Sequence, residues 1–564
     1  MFDKILIANR GEIAVRVIRA CQLLGIRSVA IYSDADCDAL HVRLADEAEP
    51  CGPPRASESY LDASRIVEIA KRVGADAIHP GYGFLSENAE FAEAVAAAGI
   101  TYIGPSPEVI RSMGQKIAAR KRMRAAGVSV VPGSELIRSV AAAREMAVEL
   151  GYPVLVKASA GGGGRGMRRV ENEAELEAAL ERAASEAQTA FGDGAIYLEK
   201  FLARPRHIEI QILADRHGHV VHLGERECSI QRRHQKLVEE APAFGMTDEQ
   251  RRVMGEAAVC AAQAVGYEGA GTCEFLVDAK GDFYFLEMNT RIQVEHPVTE
   301  AVTGLDLVEL QIRIAAGESL PCLQTDISIT GHAIEVRIYA EDPDKGFIPS
   351  PGPIVGWLAP SGPGIRLDSG FEGGETITAH YDPMIAKLIV SGRDRNEVLA
   401  RLGGALEAFW ITGIRTGLPF LRRLSQNTVF RKGKYDTGFI AAEMADSIPS
   451  LDVEVCELVL AVVGHRAALL ENGDVKRFRV ALPKQEAVVV EVLSLSGPIQ
   501  VRVGERVVEL GISNSGSVAE SPMMLVRHGD AERRMTIAAR KKGGFDVGLR
   551  DRVLRVKCEP EARR

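Results

Sequence analysis

Across nine consecutive positions the chain places Glu287, Asn289, Arg291, Gln293 and Glu295, followed by His296 and Pro297. Just upstream, Gly271–Val277 has the composition of a β-strand. Asp278 to Asp282 reads as a turn, and Phe283 to Glu287 as the partner strand of a hairpin. A turn centred near Lys280 puts Glu274 opposite Glu287 or one residue away. Two carboxylates so placed repel each other unless a cation lies between them. An oxygen-only set of this kind suits Mg2+, or Mn2+ in its place, carried with nucleotide phosphates. The plainer alternative is a surface carboxylate pair without a role. Strict alternation puts Phe283, Phe285, Glu287 and Asn289 on one sheet face. In an extended segment Arg291, Gln293 and Glu295 line one side, and Ile292 and Val294 turn away. A guanidinium, an amide and a carboxylate converging there could bind a small planar oxyanion and deprotonate it.

Other clusters have chemistry of their own. Lys157 ends an apolar strand and is followed by Gly161 to Gly164, a run whose bare backbone can close around phosphate oxygens. The lysine precedes the glycines and no G-K-[ST] ends the run, so this is not a Walker A loop. Glu199-Lys200-Phe201-Leu202 ends another strand and leads to Arg206-His207-Ile208-Glu209. A slot bordered by an acid there suits adenine and ribose, against the alternative of an ordinary strand end with a satisfied histidine. Between Cys228 and Lys236, Gln231, Arg232, Arg233 and His234 gather positive charge in an acidic chain. Such a run is either a polyanion site or a solvated face. In Ala333 to Tyr339, alternation turns Arg337 away from Ile334, Val336 and Ile338. It could there stabilise an enolate-like charge, or form a structural ion pair with Glu335 or Glu341.

These side chains need a scaffold. Residues 1–115 alternate short apolar runs (Ile5–Ala8, Ser28–Tyr32, Ala77–His79, Tyr102–Ile103) with amphipathic segments (Glu12–Leu24, Ser59–Arg72, Asn88–Ala98), which predicts a doubly wound α/β domain. No G-x-G-x-x-G follows the first strand, so NAD binding is poorly supported. Residues 116–320 read as α+β, with a compact unit at 131–203 and a long helix near Glu249–Val265. Residues 330–445 read as a further β-rich domain with a helix at Asn396–Phe409. From 446 to 564 the pattern becomes mostly β, with strands at 487–493, 499–503 and 553–557.

At 564 residues the chain has room for about three or four domains. Its net charge of −9 argues against nucleic acid as a partner. The nine cysteines form no C-x-x-C pair, which fits a reducing cytoplasm rather than a disulfide framework or zinc site. No stretch approaches the ~18 apolar residues of a membrane span, and Met1-Phe2-Asp3-Lys4 runs into Ile5 without a signal peptide. A cytoplasmic protein without membrane or nucleic-acid partners is expected.

Several longer segments share a pattern: Ile5–Ala14, His79–Asn88, Lys157–Met167, Gln231–Lys236 and Glu287–Thr299, extended by Arg337–Pro351 and His380–Lys387. Together they resemble biotin carboxylase, the ATP-grasp component of biotin-dependent carboxylases, over about residues 1–445. The resemblance implies an N-terminal doubly wound domain, an ATP-grasp domain whose lid is 131–203, and a β-rich C-terminal domain. It implies ATP contacts from Lys116, Lys157, Gly163, Gly164, Glu199, Lys200, Leu202, His207, Gln231, His234 and Leu276, and Mg2+ ligands Glu274, Glu287 and Asn289. Bicarbonate contacts would be Lys236, Arg291, Gln293 and the Val294 N–H. Glu295 would deprotonate bicarbonate and Arg337 would stabilise the biotin enolate. Biotin would be the substrate, borne on a carboxyl carrier protein, with a carboxyltransferase subunit as further partner and a homodimeric carboxylase core.

Two departures stand out. Gly417 occupies a position where the family usually has asparagine. No Met-Lys occurs, so the biotinyl carrier is expected on another chain or lost by truncation, and the tail weakly resembles a module that docks onto the carboxyltransferase. Two other readings compete: an ATP-grasp ligase with an amine acceptor, and a non-catalytic nucleotide-binding scaffold.

Overall fold

A computed structural model describes residues 1–159, 167–233, 235–445, 453–470, 476–483, 485–495, 499–514, 523–528, 531–540, 544–550 and 552–561. The glycine run at 161–164 and His234 lie outside the described residues.

The first 110 residues build a five-stranded parallel sheet with Lys4–Ile7 at its centre. Arg27–Ser33 and Glu47–Gly52 lie to one side, and Ala77–His79 and Thr101–Tyr102 to the other. Ile5, Leu6 and Ile7 are buried, as a parallel sheet covered on both faces requires. The predicted helices are Gly11–Leu24, Ala63–Val73 and Ala89–Ala97. Strand Glu47–Gly52 was not expected, because Glu-Ala-Glu-Pro is polar and contains proline. It lies at the sheet edge, where one side needs no ladder bonds.

Ligands of open α/β sheets usually bind in the crevice beyond the carboxyl ends of the strands. Here that crevice is filled. Arg10 pairs with Asp36 at 2.6 and 2.8 Å and lies over the Tyr381 ring at 4.4 Å, while Tyr60 stacks on Phe84 at 5.2 Å. Tyr381 comes from the C-terminal domain and hydrogen-bonds Ser33.

The same domain sets an acid limit. His41 and His79 are fully buried, and burial pushes each down to about 4. Unfolded, both rings titrate near 6.5, so between these values the unfolded chain binds more protons. Stability is therefore expected to fall as pH drops from about 6.5 towards 4, by up to about 3 kcal/mol per ring. Thermal denaturation at stepped pH measures this; a midpoint that stays flat across that window contradicts it.

Antiparallel pairing links the middle of the chain to the C-terminal domain in one eight-stranded sheet. Its order is Phe283–Asn289, Gly269–Val277, Arg206–Ala214, Val220–Arg232, Gln235–Ala241, His332–Tyr339, Met384–Gly392 and Ile365–Ser369. A separate three-stranded sheet, with Val154–Ala158 between Arg168–Val170 and Ile196–Lys200, packs on helices Val140–Leu150 and Glu173–Phe191 around Val154, Val156, Leu176, Leu180 and Leu198.

The tail is β-rich as expected, but its closure and its leading helix were not foreseen. Its strands close an eight-stranded antiparallel barrel, running from Arg477–Ala481 to Val553–Pro560. Helix Val453–Leu470 precedes it and was not predicted. The segment is rich in valine and apolar on nearly every side, so no helical stripe is visible in the sequence. Its apolar residues are covered by the barrel: Leu458, Val459 and Val462 share one core with Phe478, Val490, Val501 and Val526. Gly464 permits the approach, since a Cβ there would lie 2.3 Å from Val490. The barrel meets the C-terminal domain through Arg422, which donates to the Arg550 carbonyl at 2.9 Å, and through an Arg550–Glu407 ion pair.

Candidate active site

The hairpin pairs Glu274 directly with Glu287 and Thr272 with Asn289. Face assignment needs one correction. A β-bulge at Leu286 lets the ladder jump from Phe275↔Phe285 to Glu274↔Glu287. The extra residue switches sides, so Phe283 and Phe285 pack in the core while Glu287 and Asn289 face the cavity. Strict alternation would have buried all four together or exposed them together.

The two carboxylates differ. Burial opposes ionisation of Glu274, but Lys236 and His207 outweigh it and hold this group well below the usual carboxylate range. Glu287 makes no ion pair among the described residues, and burial, reinforced by Glu274, pushes it up. Asn289 donates to Glu274 at 2.9 Å and accepts from Arg291 at 3.0 Å. Two facing carboxylates, one buried and one half-buried without an ion-pair partner among the described residues, with an amide oxygen alongside, are a donor set that fits a divalent cation such as Mg2+.

Next to this pair lies a charge network. Lys236 spends its three donors on Glu209 at 2.6 Å, Glu295 at 2.7 Å and Glu274 at 2.9 Å. Arg337 bonds Glu239 through Nε at 2.6 Å and Glu295 at 2.9 Å. Its partners are thus neither Glu335 nor Glu341, because the neighbouring strand Gln235–Ala241 offers Glu239 on the same face. Glu295 is 1 % exposed; burial disfavours its charge, but Lys236, Arg337 and Arg226 overcome this and hold it far below its ordinary value. Arg291 reaches Glu87 of the N-terminal domain at 3.0 Å.

A second correction concerns 291–295. The strand stops at Asn289, and the chain turns directly into helix His296–Thr303. Ile292 is buried as expected, but Val294 lines the cavity with Arg291, Gln293 and Glu295. A turn aims the backbone at this position inward, which an extended segment would not.

On the opposite wall Lys157 is buried and donates to Glu199 at 2.8 Å; Glu199 also binds Arg120. Strand register sets Lys157 beside Tyr197 and Leu155 beside Glu199. Lys116 is half-buried nearby, and desolvation lowers its pKa. Lys200 donates to the Gly151 carbonyl at 2.6 Å, and His207 lies 2.9 Å from Glu274. Leu202, Leu276 and Leu286 provide apolar walls, and Gln231 completes the rim. All these candidate residues, with Glu274, Glu287, Asn289, Lys236, Arg291, Gln293, Val294, Glu295 and Arg337, line one cavity of about 660 Å³. Gly163, Gly164 and His234 fall outside the described residues.

Comparison with known proteins places this architecture. The family description "Biotin carboxylase, N-terminal domain" matches residues 1–110. "Carbamoyl-phosphate synthase L chain, ATP binding domain" matches 115–323, and "Biotin carboxylase C-terminal domain" matches 335–442. Biotin carboxylase 2 of Bacillus subtilis (strain 168) is 56% identical over 441 residues, covering 78% of this chain and 99% of its own. The chain belongs to the biotin carboxylase family. The mitochondrial methylcrotonoyl-CoA carboxylase subunit alpha of Mus musculus is 45% identical over 559 residues, 98% of this chain and 75% of that protein, so that similarity takes in the barrel. Among solved structures, the biotin carboxylase–βγ-ATP complex from Campylobacter jejuni superposes with a TM-score of 0.76 at 49% identity, covering 78% of this chain and 99% of that one. The biotin carboxylase domain dimer of Hydrogenobacter thermophilus 2-oxoglutarate carboxylase, in complex with MgADP and bicarbonate, gives 0.77 at 51% identity, covering 80% and 100%.

Within this biotin carboxylase fold, sequence reasoning missed the residues that hold the site from behind. Arg226 is fully buried and uses all five N–H groups on five partners. It donates to Glu209 at 2.6 Å, Gln211 at 2.6 Å, Thr299 at 2.9 Å, Thr272 at 3.1 Å and Gln293 at 2.7 Å. Because Gln293 Oε1 accepts from Arg226, its amide nitrogen is left to donate, and it reaches Glu274 at 2.8 Å. The signal in the sequence was Glu225-Arg226-Glu227 inside the strand Val220–Arg232: three consecutive charges within a strand imply a paired, buried network on at least one face.

Proposed function

We propose that this chain catalyses the ATP-dependent carboxylation of biotin by bicarbonate, the first half-reaction of an acyl-CoA carboxylase, and that the residues of the single cavity divide the work. The observation that carries this reading is one cavity in which a wall bearing Lys116 and Lys157, a facing carboxylate pair and a cluster of Lys236, Arg291 and Arg337 adjoin. Lys116, Lys157, Glu199, Lys200, Leu202, His207, Gln231 and Leu276 hold ATP, with Gly163, Gly164 and His234 assigned by resemblance alone. Glu274, Glu287 and Asn289 would hold Mg2+, which neutralises charge on the transferring phosphates.

Lys236, Arg291, Gln293 and the Val294 N–H bind bicarbonate. A bicarbonate oxygen attacks the γ-phosphorus of ATP, ADP leaves, and carboxyphosphate forms. Glu295 takes the bicarbonate proton. A carboxylate held so far down is a weak base while Lys236 and Arg337 are bonded to it. Substrate oxygens that draw those donors away raise its pKa and its strength as a base at the same time. Carboxyphosphate then gives CO2 and phosphate; phosphate removes the N1′ proton of biotin, and N1′ attacks CO2. Arg337 stabilises the negative charge on the ureido oxygen.

The barrel supports an alpha-subunit assignment, since the similarity to the mouse alpha subunit extends through it. Biotin is then borne on a carrier protein, a carboxyltransferase subunit is the second partner, and the carboxylase core is a homodimer in the cytoplasm. The test uses free biotin, bicarbonate and MgATP. ADP release stimulated by both bicarbonate and biotin is expected, with Arg337→Ala reducing the biotin-stimulated part by about 10²-fold or more. Nucleotide binding without turnover, or turnover that needs an amine acceptor instead of biotin, would sink this reading. Co-purification of partners followed by an acyl-CoA panel identifies the downstream substrate.

A further inference from the structure

We propose that His296 and Lys387 are positioning residues that clamp the two peptides flanking Val294, presenting its N–H and the Glu295 carboxylate to bicarbonate. This rests on the bicarbonate assignment above. Neither residue lines the cavity, and both side chains are fully buried.

His296 opens the helix His296–Thr303. Its ring Nδ1 lies 2.8 Å from the Gln293 carbonyl oxygen, and its backbone N–H donates to the same oxygen at 3.3 Å. A carbonyl only accepts, so Nδ1 carries the proton. Burial, with Lys387, Arg16 and Arg366 nearby, keeps the ring neutral. In a trans peptide the C=O and the following N–H point in opposite directions. Two bonds that pull the Gln293 carbonyl towards the helix start therefore drive the Val294 N–H the other way, and Val294 lines the cavity.

The next peptide is held by a different element. Lys387 sits directly across from Arg337 in the sheet and donates to the Val294 carbonyl at 2.9 Å. Its ammonium also lies 3.1 Å from Glu12 of the N-terminal domain, and Glu12 accepts from the Tyr82 hydroxyl. Gly370 permits the domains to come this close, as a Cβ there would stand 2.5 Å from the Glu12 nitrogen. The loop is thus pinned by a ring from its own helix and by a lysine from the opposite strand. Donors fixed before substrate arrives need no reorganisation when charge develops, which is the condition for oxyanion stabilisation.

Three variants test the clamp. His296→Leu removes the ring donor, His296→Asn keeps an N–H near the Nδ1 position, and Lys387→Met keeps the stem without the ammonium. Lys387→Met also removes the cation that opposes the burial-driven rise of the Glu12 pKa, so the Glu12 carboxyl shifts further towards its neutral form and less charge is stranded there. The expected result is a loss of about 10- to 100-fold in kcat/KM for bicarbonate in His296→Leu and Lys387→Met. The KM for ATP and the direct affinity for MgADP should stay within about threefold, and His296→Asn should recover most of the loss. Unchanged bicarbonate kinetics in Lys387→Met overturns the proposal, as does an equal loss towards ATP and bicarbonate, or a failure of His296→Asn to recover. Should His296→Leu not fold, Lys387→Met and the bicarbonate KM of His296→Asn decide alone. Absence of bicarbonate-stimulated ADP release in the unaltered protein would instead overturn the reading of the site.

Discussion

Glu295→Gln is expected to lose bicarbonate-stimulated ADP release by about 10²- to 10⁴-fold while binding nucleotide normally. The substitution preserves shape and keeps one acceptor oxygen, but it removes the carboxylate proposed above to take the bicarbonate proton. It also replaces an anion flanked by Lys236 at 2.7 Å and Arg337 at 2.9 Å with a neutral amide whose NH2 must face one of these two cations. Nucleotide contacts assigned to Lys157 and Glu199 form an ion pair of their own at 2.8 Å and do not pass through Glu295. The effect should therefore fall on kcat with bicarbonate, not on affinity for MgATP. Rapid-quench measurement of ADP formation, with and without bicarbonate, reads it against nucleotide titration. A rate within about threefold of the unaltered enzyme would remove Glu295 from the chemistry.

Arg226→Met should produce the largest loss of stability of any single change in the site. Breaking a buried ion pair by removing one partner typically costs about 3–5 kcal/mol, because the other charge stays buried. Here the stranded group is Glu209, fully buried and left with Lys236 alone. Gln211, Thr299, Thr272 and Gln293 lose hydrogen-bond donors in the same step. Chemical denaturation should show the midpoint falling with little change in slope. In the fraction that folds, Gln293 is free to turn its oxygen towards the cavity, so the bicarbonate KM should rise more than the ATP KM. A variant as stable as the parent, with unchanged bicarbonate kinetics, would mean that the five bonds contribute neither stability nor orientation.

These two residues show how differently parts of the site could be read. Glu295 stood out because it belongs to a dense run of polar residues between Glu287 and Pro297. Arg226 did not, because its five partners come from four separate elements and nothing in its immediate neighbours names them. The pairing of Glu274 with Glu287 was legible because a short turn sets hairpin register locally. The face each residue takes was not, since the bulge at Leu286 depends on how the sheet packs against its core. The parallel strands at Ile5–Ile7 and Ala77–His79 were legible as short apolar runs. The edge strand Glu47–Gly52 and the helix Val453–Leu470 were hidden: one takes its form from a neighbouring strand, the other from the barrel around it.

Local order alone therefore determined the family pattern, the hairpin, the lysine at the end of a strand and the types of chemistry available. The tertiary structure decided which charges meet. It brought Arg337 to Glu239 and Glu295, Lys387 to the Val294 carbonyl, and Arg226 under Gln293, across separations of 42 to 98 residues. Ionisation and hydrogen-bond direction inside a protein depend on burial and on neighbours a few ångströms away. Those neighbours are assigned by folding, and no spacing along the chain encodes them.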